Sequence, residues 1–199
     1  TIDTSNDTVS FGSFAQFEDG NNTENFAVAF DSSNSKVVIV YSDGADSNNG
    51  KAVVGTVSGT SISYGTIVEF DSNSRLASVA FDSNANKVVI AYSDYGNSGY
   101  GTAIVGTVSG TDISFGTAQV FKSASSSNID IAFDSSNNKV VVAYVSTHHY
   151  GIVGTVSSTS ISFGSEAKFA DNAGSYNKLA FDSSNNKFLI IYKDQATDD

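Results

Sequence analysis

The chain has no cysteine, no methionine and no proline. Without cysteine there are no disulfides, no thiol chemistry and no cysteine-type zinc sites. A reducing cytosol and a disulfide-free exterior both accommodate that lack. A chain without methionine is not a primary translation product, so a processed protein or a segment of a longer one is expected. Proline at its average usage of about 5% would supply roughly ten residues; here turns are left to Gly, Asn and Asp. Charge is also sparse. Only 16% of the 199 residues are charged, and 10 Lys+Arg against 21 Asp+Glu give a net charge of −11. Such a surface is repelled by phosphate backbones and anionic lipid, so neither nucleic acid nor a membrane is expected as a partner. No run approaches the roughly 20 apolar residues of a spanning helix. No signal-peptide pattern is visible, and nothing in the composition calls for a cofactor.

What the chain does have is a repeat. FDSSNNK stands at 133–139 and again at 181–187, with FDSSNSK at 30–36 and FDSNANK at 81–87. The phenylalanines of these copies, Phe30, Phe81, Phe133 and Phe181, are 51, 52 and 48 residues apart. GTVS begins at Gly55, Gly106 and Gly154, and an aromatic–Gly run recurs at 8–12, 61–65, 112–116 and 160–164. Each unit reads as four strands, as in LASVAF, KVVIAYS, GTAIVGTVS and DISFGTAQVF of 76–121. β-branched and aromatic residues fill them and polar clusters separate them. The first two are nearly continuous in apolar residues, as doubly buried strands are, while the last two alternate.

A repeated four-stranded antiparallel meander of 40–50 residues predicts an all-β fold, a four-bladed β-propeller forming a single domain over 1–199. Blade units fall at about 26–70, 76–121, 129–169 and 178–193. The last has two strands, and the orphan strand TVSFGSFAQF at 8–17 is expected to complete it and close the ring. The same strand could instead complete the last blade of a second molecule, a head-to-tail exchange that builds filaments.

FDSSNNK is the turn between the first and second strands. Asp accepts from backbone two residues on and Asn tolerates positive φ. The other reading is a cation site at each of Asp31, Asp82, Asp134 and Asp182, although calcium takes six to eight oxygens and each turn offers one carboxylate.

The connections that vary between units lie at the opposite end, and binding residues favour loops on a rigid scaffold. The candidates there are Asp43, Asp46, Tyr95, Tyr100, His148, His149, Tyr150 and Tyr176. Exposed tyrosine faces stack on sugar rings while Asp and Asn serve hydroxyls, so a surface glycan is one expected partner; the same tyrosines also suit loop packing. His148 and His149 are the only histidines. They read as a metal pair, a sugar-stacking spot or a plain loop pair, and neighbours in a strand point to opposite faces.

No G-x-S-x-G elbow and no HExxH is present. Asp43, Asp46, Asp94, Asp171 and Asp194 share the variable end, so a glycosidase pair is a third reading, set by separations that sequence does not give. A non-enzymatic role is expected.

The repeat wording, FDSSNNKVVVAY followed by YGIVGTV and TSISFGS, resembles tandem repeats in large structural or surface proteins of marine viruses infecting cyanobacteria and in related uncharacterised extracellular proteins. The resemblance spans residues 26–193. It implies a virion appendage or extracellular fibre whose partners are further copies or other virion or fibre proteins, and it carries over no catalytic residue.

Overall fold

The computed structural model describes residues 2–3, 10–19, 22–171 and 174–194. A short antiparallel pair, β1 (Ile2–Asp3) with β2 (Ser10–Phe11), precedes four successive antiparallel units. Unit 1 comprises β3 (Thr23–Asp31), β4 (Lys36–Asp43), β5 (Asn49–Ser58), β6 (Ser61–Tyr64) and β7 (Val68–Asp71). Unit 2 comprises β8 (Ser74–Asp82), β9 (Lys87–Asp94), β10 (Tyr100–Ser109), β11 (Asp112–Phe115) and β12 (Gln119–Ser125). Unit 3 comprises β13 (Ser127–Asp134), β14 (Lys139–Val145), β15 (His149–Ser157), β16 (Ser160–Phe163) and β17 (Ala167–Ala170). Unit 4 has β18 (Ser175–Asp182) and β19 (Lys187–Lys193). The fold is all-β and meandering, as the repeat predicts, and no α-helix occurs among the described residues. None of their helices is long and apolar enough to cross a membrane.

The repeated turn is built by its aspartate. Asp31 Oδ1 accepts from the backbone N–H groups of Ser33 (2.9 Å) and Asn34 (3.0 Å), and Oδ2 from the Asn34 amide (2.9 Å). Asp134 and Asp182 repeat all three bonds, and Asp82 the two backbone ones. The chain then passes through a left-handed residue, Ser35, Asn86, Asn138 or Asn186, with φ of 53°, 54°, 55° and 54°. These four carboxylates hold turns together and already face N–H donors, so the structural reading of the repeat accounts for them.

The strands differ from the expected ones in two ways. The outer strand of units 1 to 3 is broken into two pieces, β6 and β7 in unit 1, both paired with β5. The break falls at Gly65, where a Cβ would sit 1.9 Å from the carbonyl oxygen of Thr111 in the next unit; at Gly116 it would sit 1.8 Å from that of Thr159. Unit 3 breaks at the equivalent Gly164, where the nearest atom to a Cβ is Val153 O at 3.8 Å; common to all three breaks is the glycine N–H, which donates to Val54 O, Val105 O or Val153 O of the third strand. The first strand of every unit also carries a β-bulge, between Glu24 and Ala27, Arg75 and Ser78, Ser127 and Asp130, and Ser175 and Lys178. Each bulge holds one left-handed residue: Asn25, Leu76, Asn128 and Tyr176, with φ of 55°, 56°, 48° and 61°.

Successive units pack face to face. Val38, Val40, Ala52 and Val54 of unit 1 meet Val79, Val88, Ile90 and Tyr92 of unit 2 in one buried layer. Val89, Ala91, Ala103 and Val105 of unit 2 meet Ile131, Val140, Val142 and Tyr144 of unit 3 in the next. At roughly 1.5–3 kcal/mol per fully buried aliphatic side chain, these layers dominate stability.

The expected closing strand is not formed by the described residues. Residues 10–17 do not pair with β19; Ser10 and Phe11 pair with β1 instead. Residues 8 and 9 of the expected strand lie outside the described residues. What residues 17 and 18 do is pack on unit 1. Phe17 meets Tyr41 and Tyr64, both at 5.4 Å between ring centroids, and Tyr41 donates to Glu18 Oε2 at 2.8 Å.

Candidate functional site

The four first strands run from the variable loops toward the repeated turns, and their bulges lie near the loop end. Three hydrogen bonds tie the two loop sets into one face: Gly44 N to Asn22 O (2.8 Å), Ser74 N to Asn48 O (3.0 Å) and Tyr95 N to Asn73 O (2.8 Å). All four bulges line one cavity of about 260 Å³. Its walls are Asn25 and Phe26 of unit 1, Leu76 and Ala77 of unit 2, Asn128 and Ile129 of unit 3, and Tyr176, Asn177 and Lys178 of unit 4. A bulge adds one residue without a partner opposite, and a left-handed φ suits Asn but strains Leu and Tyr by about 1–2 kcal/mol each.

Just past the bulges, the equivalent residues Ser78, Asp130 and Lys178 link three units. Ser78 Oγ donates to Asp130 Oδ1 at 2.8 Å, Lys178 Nζ approaches the same oxygen at 3.5 Å, and Leu179 N donates to Oδ2 at 2.8 Å. Unit 1 has Ala27 at this position, so the ladder does not extend to it.

His149 is fully buried and belongs to the packing between units 3 and 4. Its ring lies 5.5 Å from that of Phe169 and 4.8 Å from that of Tyr192. Nε2 accepts from Gly174 N at 3.1 Å, and Nδ1 is 2.8 Å from Asn177 Oδ1. Both ring nitrogens are thus committed within the chain. By register His149 stands where units 1 and 2 have Gly50 and Gly101. A Cβ at those glycines would run into Phe70 and Phe121. Unit 4 answers the larger residue with Gly174, whose missing side chain leaves room for the imidazole.

The other predicted residues are distributed over the units. Asp43 is buried, capped by Ala45 N (3.0 Å) and paired with Lys51 (2.6 Å), which holds its carboxyl below the usual range. Lys51 also reaches Asp46, at 3.0 Å. Tyr95 is 47% exposed under the Arg75 guanidinium, 5.0 Å from the ring centre. Tyr100 opens β10, pairing Asp94 and Ser125. His148 Nδ1 contacts the Asp171 carbonyl oxygen, and its ring is 6.1 Å from that of Tyr150. Tyr150 stacks on Tyr144 at 5.6 Å beneath the Lys122 ammonium. Tyr176 is 69% exposed and is the one predicted residue in the cavity wall. Among the remaining carboxylates, Asp94 accepts from Asn97 N at 3.0 Å, and Asp171 pairs with Lys168.

A second set of charges recurs beside the tyrosines of the second strands. The phenols of Tyr41, Tyr92 and Tyr144 donate to Glu18, Asp71 and Glu166, and burial, then the carboxylate, pushes all three phenols up. Lys122, 2.7 Å away, holds Glu166 low, whereas burial raises Asp71.

Sequence reasoning missed Asn25, Leu76, Asn128 and Asn177. The first three share a repeat position with Tyr176, so numbering the copies backward from the FD pair groups them; that they are left-handed and face one cavity is not written in their letters. Asn177 is 2% exposed, and its Nδ2 has no hydrogen-bond partner among the described residues. A buried donor in that state costs about 1–3 kcal/mol unless an acceptor reaches it. The cavity thus offers carboxamides, a phenol and an apolar wall, which suits binding of hydroxyl or carbonyl groups. No family model, no curated protein and no solved structure matches the chain.

Proposed function

We propose that the chain is a non-catalytic structural and interaction module. Its four units ring an axis as a four-bladed propeller, and a seam between units 4 and 1 joins it to a second copy in an extracellular assembly such as a virion appendage or fibre. The shared cavity at the four bulges supports the axis. The observation that carries the reading is the seam. Phe26, Val28 and Phe30 of β3 are 56%, 65% and 60% exposed, and Leu189 and Ile191 of β19 are 59% and 61% exposed. The equivalents of Phe26 and Val28 in units 2 and 3, Ala77, Val79, Ile129 and Ile131, are buried against the preceding unit. The two uncovered rows are therefore the two halves of the interface that the chain already forms internally. Contiguous exposed apolar surface of this kind marks an interaction site.

Sedimentation velocity over a dilution series, with negative-stain microscopy, tests the assembly. Expected are concentration-dependent species or filaments that Val28→Asp and Ile191→Asp abolish while circular dichroism stays unchanged. A monomer at every concentration overturns this role.

A second reading, a lectin-like module on the loop face, is favoured by the exposed rings of Tyr95 and Tyr176.

A further inference from the structure

β19 pairs with β18 along one side, and among the described residues its other side has no partner strand. In units 1 to 3 that side of the second strand is taken by the third strand: β4 by β5, β9 by β10 and β14 by β15. Alternate residues of β19 therefore turn their N–H and C=O groups to an open edge, which is a template for one more strand. The run from Phe188 to Tyr192 holds no charge and no proline, the residues that blunt such an edge.

The three internal pairings define what fits. Tyr41, Tyr92 and Tyr144, each with a third-strand residue opposite, are 0% exposed; the equivalent Tyr192 is 39% exposed. Val37, Val88 and Val140 pair with Gly55, Gly106 and Gly154. A Cβ at those glycines would lie 2.7, 2.7 and 2.8 Å from the valine Cγ2. Phe188 stands at the valine position with a larger side chain, so the residue opposite it has to be glycine. In units 1 and 3 a threonine follows that glycine, and its Oγ1 accepts from Lys36 Nζ (2.8 Å) or Lys139 Nζ (2.9 Å). Lys187 is the equivalent lysine, exposed and with no such acceptor among the described residues. Ile104 and Ile152 of the third strands are buried against the preceding unit, so a strand on β19 would extend the packing of unit 4 onto unit 3. The β1–β2 pair of a second copy does not meet these terms. Ile2↔Phe11 repeats the pairing Gly55↔Tyr64, which puts Ile2 where the third strands have glycine.

We infer that the open edge of β19 is an acceptor for an extended Gly-Thr strand of another polypeptide, added antiparallel, with its glycine opposite Phe188 and its threonine hydroxyl at the Lys187 ammonium. This is β-strand addition. It goes beyond the seam, where the contact is face to face rather than edge to edge.

The test is fluorescence anisotropy with a labelled peptide of residues 149–157, the β15 sequence, joined to amide hydrogen exchange of the ¹⁵N-labelled chain. Expected are saturable one-to-one binding and slowed exchange at alternate residues between Phe188 and Tyr192. Gly154→Val in the peptide should weaken binding about tenfold or more, and Thr155→Val about threefold. Both changes are in the peptide, so the fold of the chain is untouched. Absence of saturable binding would overturn the acceptor edge. Slowed exchange on β3 in place of β19 would overturn its placement. Equal binding by the Gly154→Val or the Thr155→Val peptide would overturn the requirement for that residue. Self-association of the chain alone is read separately by sedimentation, so failure of the edge and failure of the seam are told apart.

Discussion

Phe17 meets Tyr41 edge-on, with ring centroids 5.4 Å apart and planes at 60°. The same contact recurs as Phe70 on Tyr92 (5.3 Å, 64°), Phe121 on Tyr144 (5.1 Å, 54°) and Phe169 on Tyr192 (5.6 Å, 67°). In the last three, the phenylalanine lies on the last strand of one unit and the tyrosine on the second strand of the next. Phe17 belongs to none of the four units, yet it occupies the place on unit 1 that a preceding outer strand would fill.

Truncating that contact should therefore act like a core substitution. Phe17→Ala is expected to lower unfolding stability by about 2 kcal/mol, less than a fully buried Phe→Ala because the ring is half-buried. Phe14→Ala, at a residue 90% exposed, should stay within about 0.5 kcal/mol. Urea midpoints measure both. Equal midpoints for the two variants would mean that residues 17 and 18 do not hold unit 1.

Glycines at equivalent repeat positions should respond unequally. Gly65→Ala and Gly116→Ala push a methyl into the next unit's backbone, and about 1–3 kcal/mol of destabilisation each is expected. At Gly164 the nearest atom to a new Cβ is Val153 O, 3.8 Å away, so Gly164→Ala should be nearly silent. Thermal melts of the three variants decide it. Matching losses at all three would show that the close approach of neighbouring turns is not what makes Gly65 and Gly116 sensitive.

Acid should loosen the contact between units 2 and 3. Lys122, then Tyr144, holds Glu166 below its ordinary value of 4.5. A carboxyl depressed in the folded state contributes stability above its unfolded pKa and loses it as pH falls through the folded one. Asp71, raised by burial, acts in the opposite sense: its protonation in acid favours the folded state. Melting temperatures at about pH 7 and about pH 3 should show wild type losing more than Glu166→Gln. An equally steep acid loss in the variant would remove Glu166 from the account.

The bulge of unit 2 is the one where the left-handed residue is aliphatic. Leu76→Asn puts there the residue that units 1 and 3 use, and it should be neutral or stabilising by up to about 1 kcal/mol. A loss of more than about 1 kcal/mol in chemical denaturation would mean that packing by the Leu76 side chain outweighs the strain.

The letters of the chain determined the unit and its local chemistry. The Asp-Ser-Ser-Asn-Asn turn, the buried second strand and the half-exposed third strand all follow from residue type and order, because turn hydrogen bonds and side-chain alternation act within a few residues. The same is true of the loop end, where the varying connections gather. The tertiary structure decided the rest. A bulge at Asn25, Leu76, Asn128 and Tyr176 needs a partner strand one residue shorter, which is a fact of pairing and not of composition. His149 reads as a loop histidine until Gly174 and Asn177, which arrive from the next unit 25 and 28 residues later, enclose it. Residues 10–17 carry the pattern of an outer strand, but pattern alone does not say which edge a strand will join. In the fold, Phe17 packs on Tyr41, since the face of unit 1 offers that phenylalanine the aromatic pocket its counterparts fill.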